Sequence, residues 1–129
     1  MARTALVTGG TRGIGEAISL ALKEAGYSVA ANYAGNDEAA AKFKEANDIA
    51  VFKFDVGDYE ACQSAVADIE NEVGPIDVLV NNAGITRDAP LHKMDAGQWS
   101  DVIRTNLDSC YNLSGAVING MRERGFGRV

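Results

Sequence analysis

The chain has 129 residues, of which 47% are hydrophobic and 23% are charged, and these values are typical of one globular domain. Its formal net charge of −6 argues against nucleic acid or an anionic membrane surface as a partner. No apolar run is long enough to span a bilayer and no signal peptide is recognisable, so we expect a cytoplasmic protein.

The first predicted strand leads into a glycine-rich loop and then a helix. Residues 5–7 are an apolar run, and a helical apolar period begins at Ile14 and ends near Gly26. Between them lies the spacing Gly-x3-Gly-x-Gly, formed by Gly9, Gly13 and Gly15. Strand, glycine loop and helix in this order favour a nucleotide diphosphate site, because the helix N-terminus directs free N–H groups toward the pyrophosphate. The alternative is a glycine-rich turn that binds nothing.

Strands and helices alternate through the next part of the chain. The predicted strands are 27–33, 49–54 and 76–80, and the predicted helices are 37–47 and 59–73. This alternation predicts an α/β fold with a doubly wound parallel sheet and right-handed crossovers.

One long helical pattern runs from Asp95 to about Gly120. Its apolar residues spread wider than a single stripe, so one face of the helix covers the sheet and the remaining apolar residues need a second packing partner. We expect that partner to be a second copy of the chain, in a homodimer or homotetramer; a broad core face is the alternative. Gly125 and Gly127 end the pattern, and a fifth strand is expected to begin near Val129.

The cysteine and histidine content adds two expectations. Cys62 and Cys110 both fall in helical patterns, which favours buried free thiols in a reducing compartment. His92 has no Cys or His partner at ligand spacing, so we expect no metal site.

The end of the second predicted strand indicates which nicotinamide dinucleotide is preferred. A domain that binds NAD usually has an acidic residue there, which accepts hydrogen bonds from the ribose hydroxyls. Residues 32–35 are Asn-Tyr-Ala-Gly, without a carboxylate, and Arg12 offers a cation for a 2′-phosphate. We therefore expect NADP(H). A solvated loop charge is the alternative for Arg12, and Asp37 or Glu38 would weaken the expectation by reaching the site.

Two further polar turns follow the third and fourth predicted strands. Asp55 and Val56 stand where a carboxylate accepts from an adenine amino group; the alternative for Asp55 is a helix N-cap, although Asp58 suits that role better. Residues 81–84, Asn-Asn-Ala-Gly, leave room for ribose and nicotinamide over the strand ends. Ordinary turn chemistry is the alternative for these residues.

In their order and separation, residues 8–15, 55–56 and 81–84 closely resemble the classical short-chain dehydrogenases/reductases. This resemblance covers the whole chain and implies a Rossmann-type sheet with strand order 3-2-1-4-5-6-7. Further segments are similar to the NADPH-dependent acetoacetyl-CoA reductases and the related 3-oxoacyl-carrier-protein reductases, namely residues 81–88, 93–94, 99, 105–107 and 120–129. Residues 1–129 are thus identified as the N-terminal dinucleotide-binding portion of a single Rossmann domain.

The resemblance implies hydride transfer from NADPH to a 3-oxoacyl thioester of CoA or acyl carrier protein, with acetoacetyl-CoA giving 3-hydroxybutyryl-CoA as the expected case. In that family a Tyr protonates the carbonyl oxygen, a Lys lowers its pKa, a Ser orients the carbonyl and a helix Asn holds a relay water. Only the Asn is matched, as Asn106, for which a core-capping amide is the alternative. Asp88 is the expected substrate contact. The expected cofactor-binding residues are Gly9, Thr11, Arg12, Gly13, Ile14, Gly15, Asn32, Tyr33, Asp55, Val56, Asn82, Ala83, Gly84 and Ile85.

None of the tyrosines has Lys four residues later, and the family's Ser and Tyr-x-x-x-Lys would lie beyond Val129. We therefore expect the N-terminal half of a longer protein, truncated near the start of the fifth strand and inactive by itself. The fourth strand would then be an unpaired edge. Two other functions remain open, a non-catalytic nucleotide-binding fragment and another short-chain dehydrogenase of alcohol or steroid type.

Overall fold

The computed structural model describes residues 2–129 and contains one four-stranded parallel sheet with the order β3-β2-β1-β4. The strands are β1 (Thr4–Val7), β2 (Ser28–Tyr33), β3 (Ala50–Lys53) and β4 (Ile76–Val80). The helices are α1 (Gly13–Glu24), α2 (Asp37–Asn47), α3 (Tyr59–Glu72), α4 (Ala96–Ile103) and α5 (Ser109–Arg124), with a π-helical turn at Arg104–Asp108 between the last two. The predicted parallel α/β architecture is confirmed.

The two faces of the central strand β1 belong to different apolar clusters. Leu6 packs in the cluster formed with residues of α3 and α5, including Ile69 and Leu113. Val7, the next residue, packs in the cluster that includes Phe43 of α2 and the half-buried Ile18 of α1. Because successive side chains of a strand point to opposite faces, one short strand places helices on both sides of the sheet. This is the doubly wound arrangement that the alternation of elements predicted.

The last residues of the chain lie beside β4. Arg128 forms a parallel bridge with Val78, its N–H donates to the Asp77 carbonyl (3.0 Å), and its carbonyl accepts from the Leu79 N–H (2.9 Å). This isolated parallel bridge lies where the sequence predicts the start of a fifth strand. These contacts give the outer side of β4 its first backbone partners, so the expectation of an entirely unpaired edge was wrong at this point.

The prediction of one continuous helix over 95–120 was also wrong in detail. The segment is two α-helices separated by the π turn, and the second helix continues to Arg124 before Gly125 (φ +70°) ends it. Asp95 begins α4 with a reciprocal capping box to Gln98. A π turn adds one residue and so shifts the apolar stripe around the helix axis, which the sequence pattern shows only as a broader apolar face.

Two smaller expectations also need correction. Ile14 does not begin the buried face of α1, because its side chain is 75% exposed; the buried residues of that helix are Gly15 and Ser19. Both cysteines are free, but only Cys62 is buried, and Cys110 is half-buried. Burial raises the pKa of the Cys62 thiol to about 11. Within residues 2–129 no helix combines the length and apolarity that crossing a membrane requires.

The first turn of α1 lies directly against the loop that follows β1. A Cβ on Gly15 would be 2.7 Å from the carbonyl carbon of Gly9 and 2.6 Å from Nδ2 of Asn82. Neither the backbone nor the hydrogen-bonded amide is free to move aside, so this position requires glycine.

We expect Gly15→Ala to lower the free energy of unfolding by more than about 2 kcal/mol, because the added methyl overlaps backbone atoms. Gly115→Ala is the matched control, since Gly115 lies in α5 with no atom within 4 Å of an added Cβ. The control should gain up to about 1 kcal/mol from helix propensity. Urea unfolding followed by circular dichroism measures both, and equal stabilities would contradict the close approach.

Candidate functional site

A cavity of about 730 Å³ opens at the carboxyl ends of the strands. Its walls come from the loops after all four strands and from the π turn, as expected for a parallel sheet whose ligand lies beyond the strand ends. The structure brings together nearly all of the predicted cofactor residues; those that line the cavity are Gly9, Arg12, Gly13, Ile14, Gly15, Asn32, Tyr33, Asp55, Val56, Asn82, Ala83, Gly84 and Ile85. Thr11 is buried and is not among the lining residues.

The N-terminus of α1 faces this cavity without a side-chain cap. The helices α2, α3 and α4 begin with Asn36, Asp58 and Asp95, and each of these side chains accepts a hydrogen bond from the first turn. The corresponding residue of α1 is Arg12, which makes no such bond. Since the first N–H groups of a helix have no acceptor within the helix, those of α1 remain available to an anion in the cavity.

Asn82 ties the loop after β4 to the loop after β1. Its Nδ2 donates to the carbonyl oxygens of Thr8 (3.0 Å) and Gly9 (3.2 Å). In return, Oγ1 of Thr8 accepts from the backbone N–H groups of Asn82 and Ala83, each at 2.9 Å. The preceding Asn81 instead donates to Oγ of Ser114 in α5 (3.4 Å). The Asn-Asn turn is therefore a cross-link between neighbouring strand ends.

Asn32 holds the glycine loop from the opposite side. Its side chain is buried, its Oδ1 accepts from the Gly9 N–H (3.1 Å), and its Nδ2 donates to the Phe54 carbonyl (3.0 Å). The sequence interpretation treated Asn32 as a cofactor ligand, but in the structure its amide connects three loops of the cavity wall. This role depends on tertiary contacts that no local pattern signals.

The boundary of the cavity at the end of β2 carries no free carboxylate. Tyr33, Ala34 and Gly35 line it, whereas Asp37 does not and forms an exposed ion pair with Lys53 (3.1 Å). The hydrogen bonds from Lys53 and Tyr33 hold the pKa of Asp37 below its usual range. The nearest downstream acid is thus engaged outside the cavity.

At the end of β3, Asp55 forms an ion pair that the sequence analysis missed. Its Oδ2 accepts from Nη1 of Arg104 in the π turn (2.7 Å), and its Oδ1 accepts from the Gly57 N–H (2.8 Å). Partial burial opposes ionisation, but these two hydrogen bonds outweigh it and the pKa of Asp55 lies below its usual range. Asp58 caps α3, as the sequence indicated. The partners are 49 positions apart in the sequence, and no local pattern signals the pair.

Asn106 lies in the same π turn and forms two hydrogen bonds with the loop after β4. Its Oδ1 accepts from the Ile85 N–H (2.8 Å) and its Nδ2 donates to the Ile85 carbonyl (3.0 Å). It lines a second, smaller opening of about 520 Å³ together with Arg12 and Arg87, and Arg87 is a further cation that the sequence analysis did not single out. Asp88 is exposed and lines neither cavity, so the structure does not bring it to the other predicted residues.

The family model described as short chain dehydrogenase matches residues 3–129 of this sequence. The chain belongs to the short-chain dehydrogenase family. An acetoacetyl-CoA reductase of Shinella zoogloeoides is 61% identical over 129 residues, covering 100% of this chain and 54% of the relative. The acetoacetyl-CoA reductase of Rhizobium meliloti is 58% identical over the same shares. A 3-oxoacyl-acyl-carrier-protein reductase of Staphylococcus aureus is 42% identical, covering 92% of this chain and 55% of the relative.

The chain therefore spans about half the length of the curated relatives it matches. A family of dehydrogenases implies a nicotinamide cofactor, and the residues of this cavity fit one. The uncapped N-terminus of α1 and the glycine at position 15 leave space and N–H donors for a pyrophosphate. Within residues 2–129 no cluster of His, Cys, Asp or Glu is arranged to hold a metal ion.

Loss of the Asn82 cross-link should destabilise the fold. We expect Asn82→Ala to lower the free energy of unfolding by about 2 kcal/mol, since two carbonyls lose their donor. Asn82→Asp should lower the free energy of unfolding more at pH 7 than at pH 4, because a carboxylate repels those carbonyls whereas a protonated carboxyl donates to one of them. Urea unfolding at the two pH values measures this, with the exposed Asn119→Ala as control. A pH-independent loss for Asn82→Asp would contradict the assignment.

Proposed function

We propose that the whole protein is an NADPH-dependent reductase of 3-oxoacyl thioesters, with acetoacetyl-CoA as substrate. This chain would supply its dinucleotide-binding portion. The relatives that are 58% and 61% identical are both acetoacetyl-CoA reductases, which supports the substrate class. The relative that acts on acyl-carrier-protein thioesters is 42% identical, which favours the CoA thioester.

The preference for NADPH over NADH rests on the cavity wall at the end of β2. Tyr33, Ala34 and Gly35 present no acid that would repel a 2′-phosphate, and the next acid, Asp37, is paired with Lys53. Arg12 lines the same cavity from the N-terminus of α1. A cation with no competing carboxylate at this edge supports recognition of the extra phosphate.

Each wall then has a role in holding the dinucleotide. The α1 N-terminus would bind the pyrophosphate, Asp55 and Val56 would bind the adenine, and Ala83, Gly84 and Ile85 would leave space for the nicotinamide ribose. Bound NADPH supplies the hydride. Asn106 would keep the loop after β4 in position through its two bonds to Ile85 and, as the resemblance implies, contribute to a proton relay. Asp88 remains a proposed contact of the substrate.

The proposal is tested by assaying the protein with acetoacetyl-CoA and NADPH while absorbance at 340 nm is followed, and by titrating the 129-residue chain with NADPH. We expect the chain to bind NADPH without turnover, because none of its tyrosines has Lys four residues later. Turnover by this chain alone would overturn the expected inactivity. Absence of NADPH binding would overturn the cofactor assignment, and a longer protein inactive on acetoacetyl-CoA would overturn the substrate.

Replacing Arg12 tests the cofactor preference. We expect Arg12→Ala to weaken NADPH binding more than NADH binding by about 1–3 kcal/mol, because only NADPH carries the phosphate that pairs with the guanidinium. Isothermal titration with both cofactors gives the two dissociation constants. Arg122→Ala, an exposed arginine of α5 outside the cavity, is the control and should leave their ratio unchanged. Equal losses for both cofactors would identify Arg12 as a solvated charge.

We also propose that the apolar outer surface of α4 and α5 is covered by a second copy, in a dimer or tetramer. Trp99 is 61% exposed, Tyr111 is 69% exposed and Ile118 is 43% exposed, which is unusual for large apolar side chains on two consecutive helices.

The two free thiols support a reducing, cytoplasmic location.

The subunit contact is tested by Ile118→Glu, which should shift the protein toward monomer because a charge would be buried in the interface. Its control is Asn119→Glu at the adjacent exposed position. Sedimentation velocity measures the mass of both variants. A monomeric parent protein, or an unchanged mass for Ile118→Glu, would contradict the proposed contact.

A further inference from the structure

Arg104 crosses the outer side of the cavity to reach Asp55. It is the first residue of the π turn that follows α4, and Asp55 lies just after β3 on the adjoining wall. The Nη1–Oδ2 distance is 2.7 Å, and both residues line the cavity. Two segments far apart in the sequence therefore meet in the cavity wall, at the Asp55 carboxylate.

The surrounding backbone is shaped to admit this guanidinium. A Cβ on Gly57 would lie 2.9 Å from Cγ and 3.0 Å from Cζ of Arg104, so the side chain passes directly over a glycine. The glycine also donates its N–H to the other oxygen of Asp55 (2.8 Å). The carboxylate is thus held at both oxygens, and its rotation about the Cβ–Cγ bond is restricted.

The Asp55 carboxylate can still accept further hydrogen bonds although both of its oxygens already accept one. Each carboxylate oxygen has two acceptor positions, and the two hydrogen bonds occupy one position on each. The ion pair also keeps Asp55 ionised, as the lowered pKa of its carboxyl indicates. An ionised and oriented carboxylate in a cavity wall is suited to accept a hydrogen bond from an amino group.

We propose that Arg104 is a positioning residue for adenine recognition: it orients Asp55 so that a free acceptor position receives the exocyclic amino group. This inference rests on the proposed function, because it requires that the cavity binds NADPH. In this proposal Arg104 acts on the cofactor indirectly. Its effect is passed through Asp55, and the π turn that carries it also carries Asn106, so one turn holds the walls of both openings.

The test compares NADPH with its analogue in which hypoxanthine replaces adenine, since the analogue lacks the amino group but keeps every phosphate. The protein should bind NADPH about tenfold more tightly than the analogue, the value of one hydrogen bond to a charged acceptor. Arg104→Met should reduce this preference to about twofold, and Arg104→Lys should restore part of it. Arg122→Met is the matched control on α5 and should keep the full preference.

A double-mutant cycle with Asp55→Asn separates positioning from a general structural effect. Asp55→Asn should remove the preference for adenine, and adding Arg104→Met should change it no further. An unchanged preference in Arg104→Met, tighter NADPH binding in that variant, or a further loss in the double variant would each overturn the inference. If the parent protein binds neither nucleotide, the proposed function itself fails. If it binds both equally, the role of Asp55 in adenine recognition fails and this inference with it, while NADPH binding stands.

Discussion

The carboxamide of Asn82 is the contact on which the shape of the cavity depends. It joins the end of β4 to the two residues that follow the central strand β1, by donating to the carbonyls of Thr8 and Gly9. The first turn of α1 packs against the same atoms, and only glycine at position 15 leaves room for it. The Asn82 amide therefore helps to determine both where the glycine loop lies and how the helix N-terminus is directed. Because these hydrogen bonds are partly buried, breaking them leaves carbonyls without a donor, which makes the arrangement stiff.

The inner and outer walls of the cavity are held by different kinds of contact. The inner wall is secured by Asn82 and by the buried Asn32, whose amide reaches the Gly9 N–H and the Phe54 carbonyl. The outer wall is the π turn, attached through Arg104 to Asp55 and through Asn106 to Ile85. Arg104 and Asn106 are exposed, and exposed charge pairs contribute little to stability. A rigid inner wall would reduce the ordering cost of binding a flexible dinucleotide, and the proposed role of the weaker outer contacts is to orient the groups that contact it.

Much of the fold was predictable because its elements have clear local signals. The bounds of α2 and β4 agree with the predicted 37–47 and 76–80, and the strand order agrees with the resemblance. Other features had no such signal. The π turn inserts one residue into a pattern that reads as one broad helix. Ile14 belongs to the apolar period of α1 as well as to the predicted cofactor residues, and in the structure it is exposed and lines the cavity. The pair of Asp55 and Arg104 required two distant segments to meet, which periodicity does not address.

The sequence by itself determined the class of fold and the identity of most, though not all, of the residues around the cavity. Glycines, short polar turns after strands and alternating apolar runs act locally, and parallel strands bring the turns that follow them to one edge. Only the tertiary structure decided what each of these side chains does there. Asn32 and Asn82 form hydrogen bonds between loops of the cavity wall. Asp37 forms an ion pair outside the cavity, and Asp55 forms an ion pair with Arg104. The physical reason is that a hydrogen-bond partner is chosen by distance in space, whereas a sequence pattern records only distance along the chain.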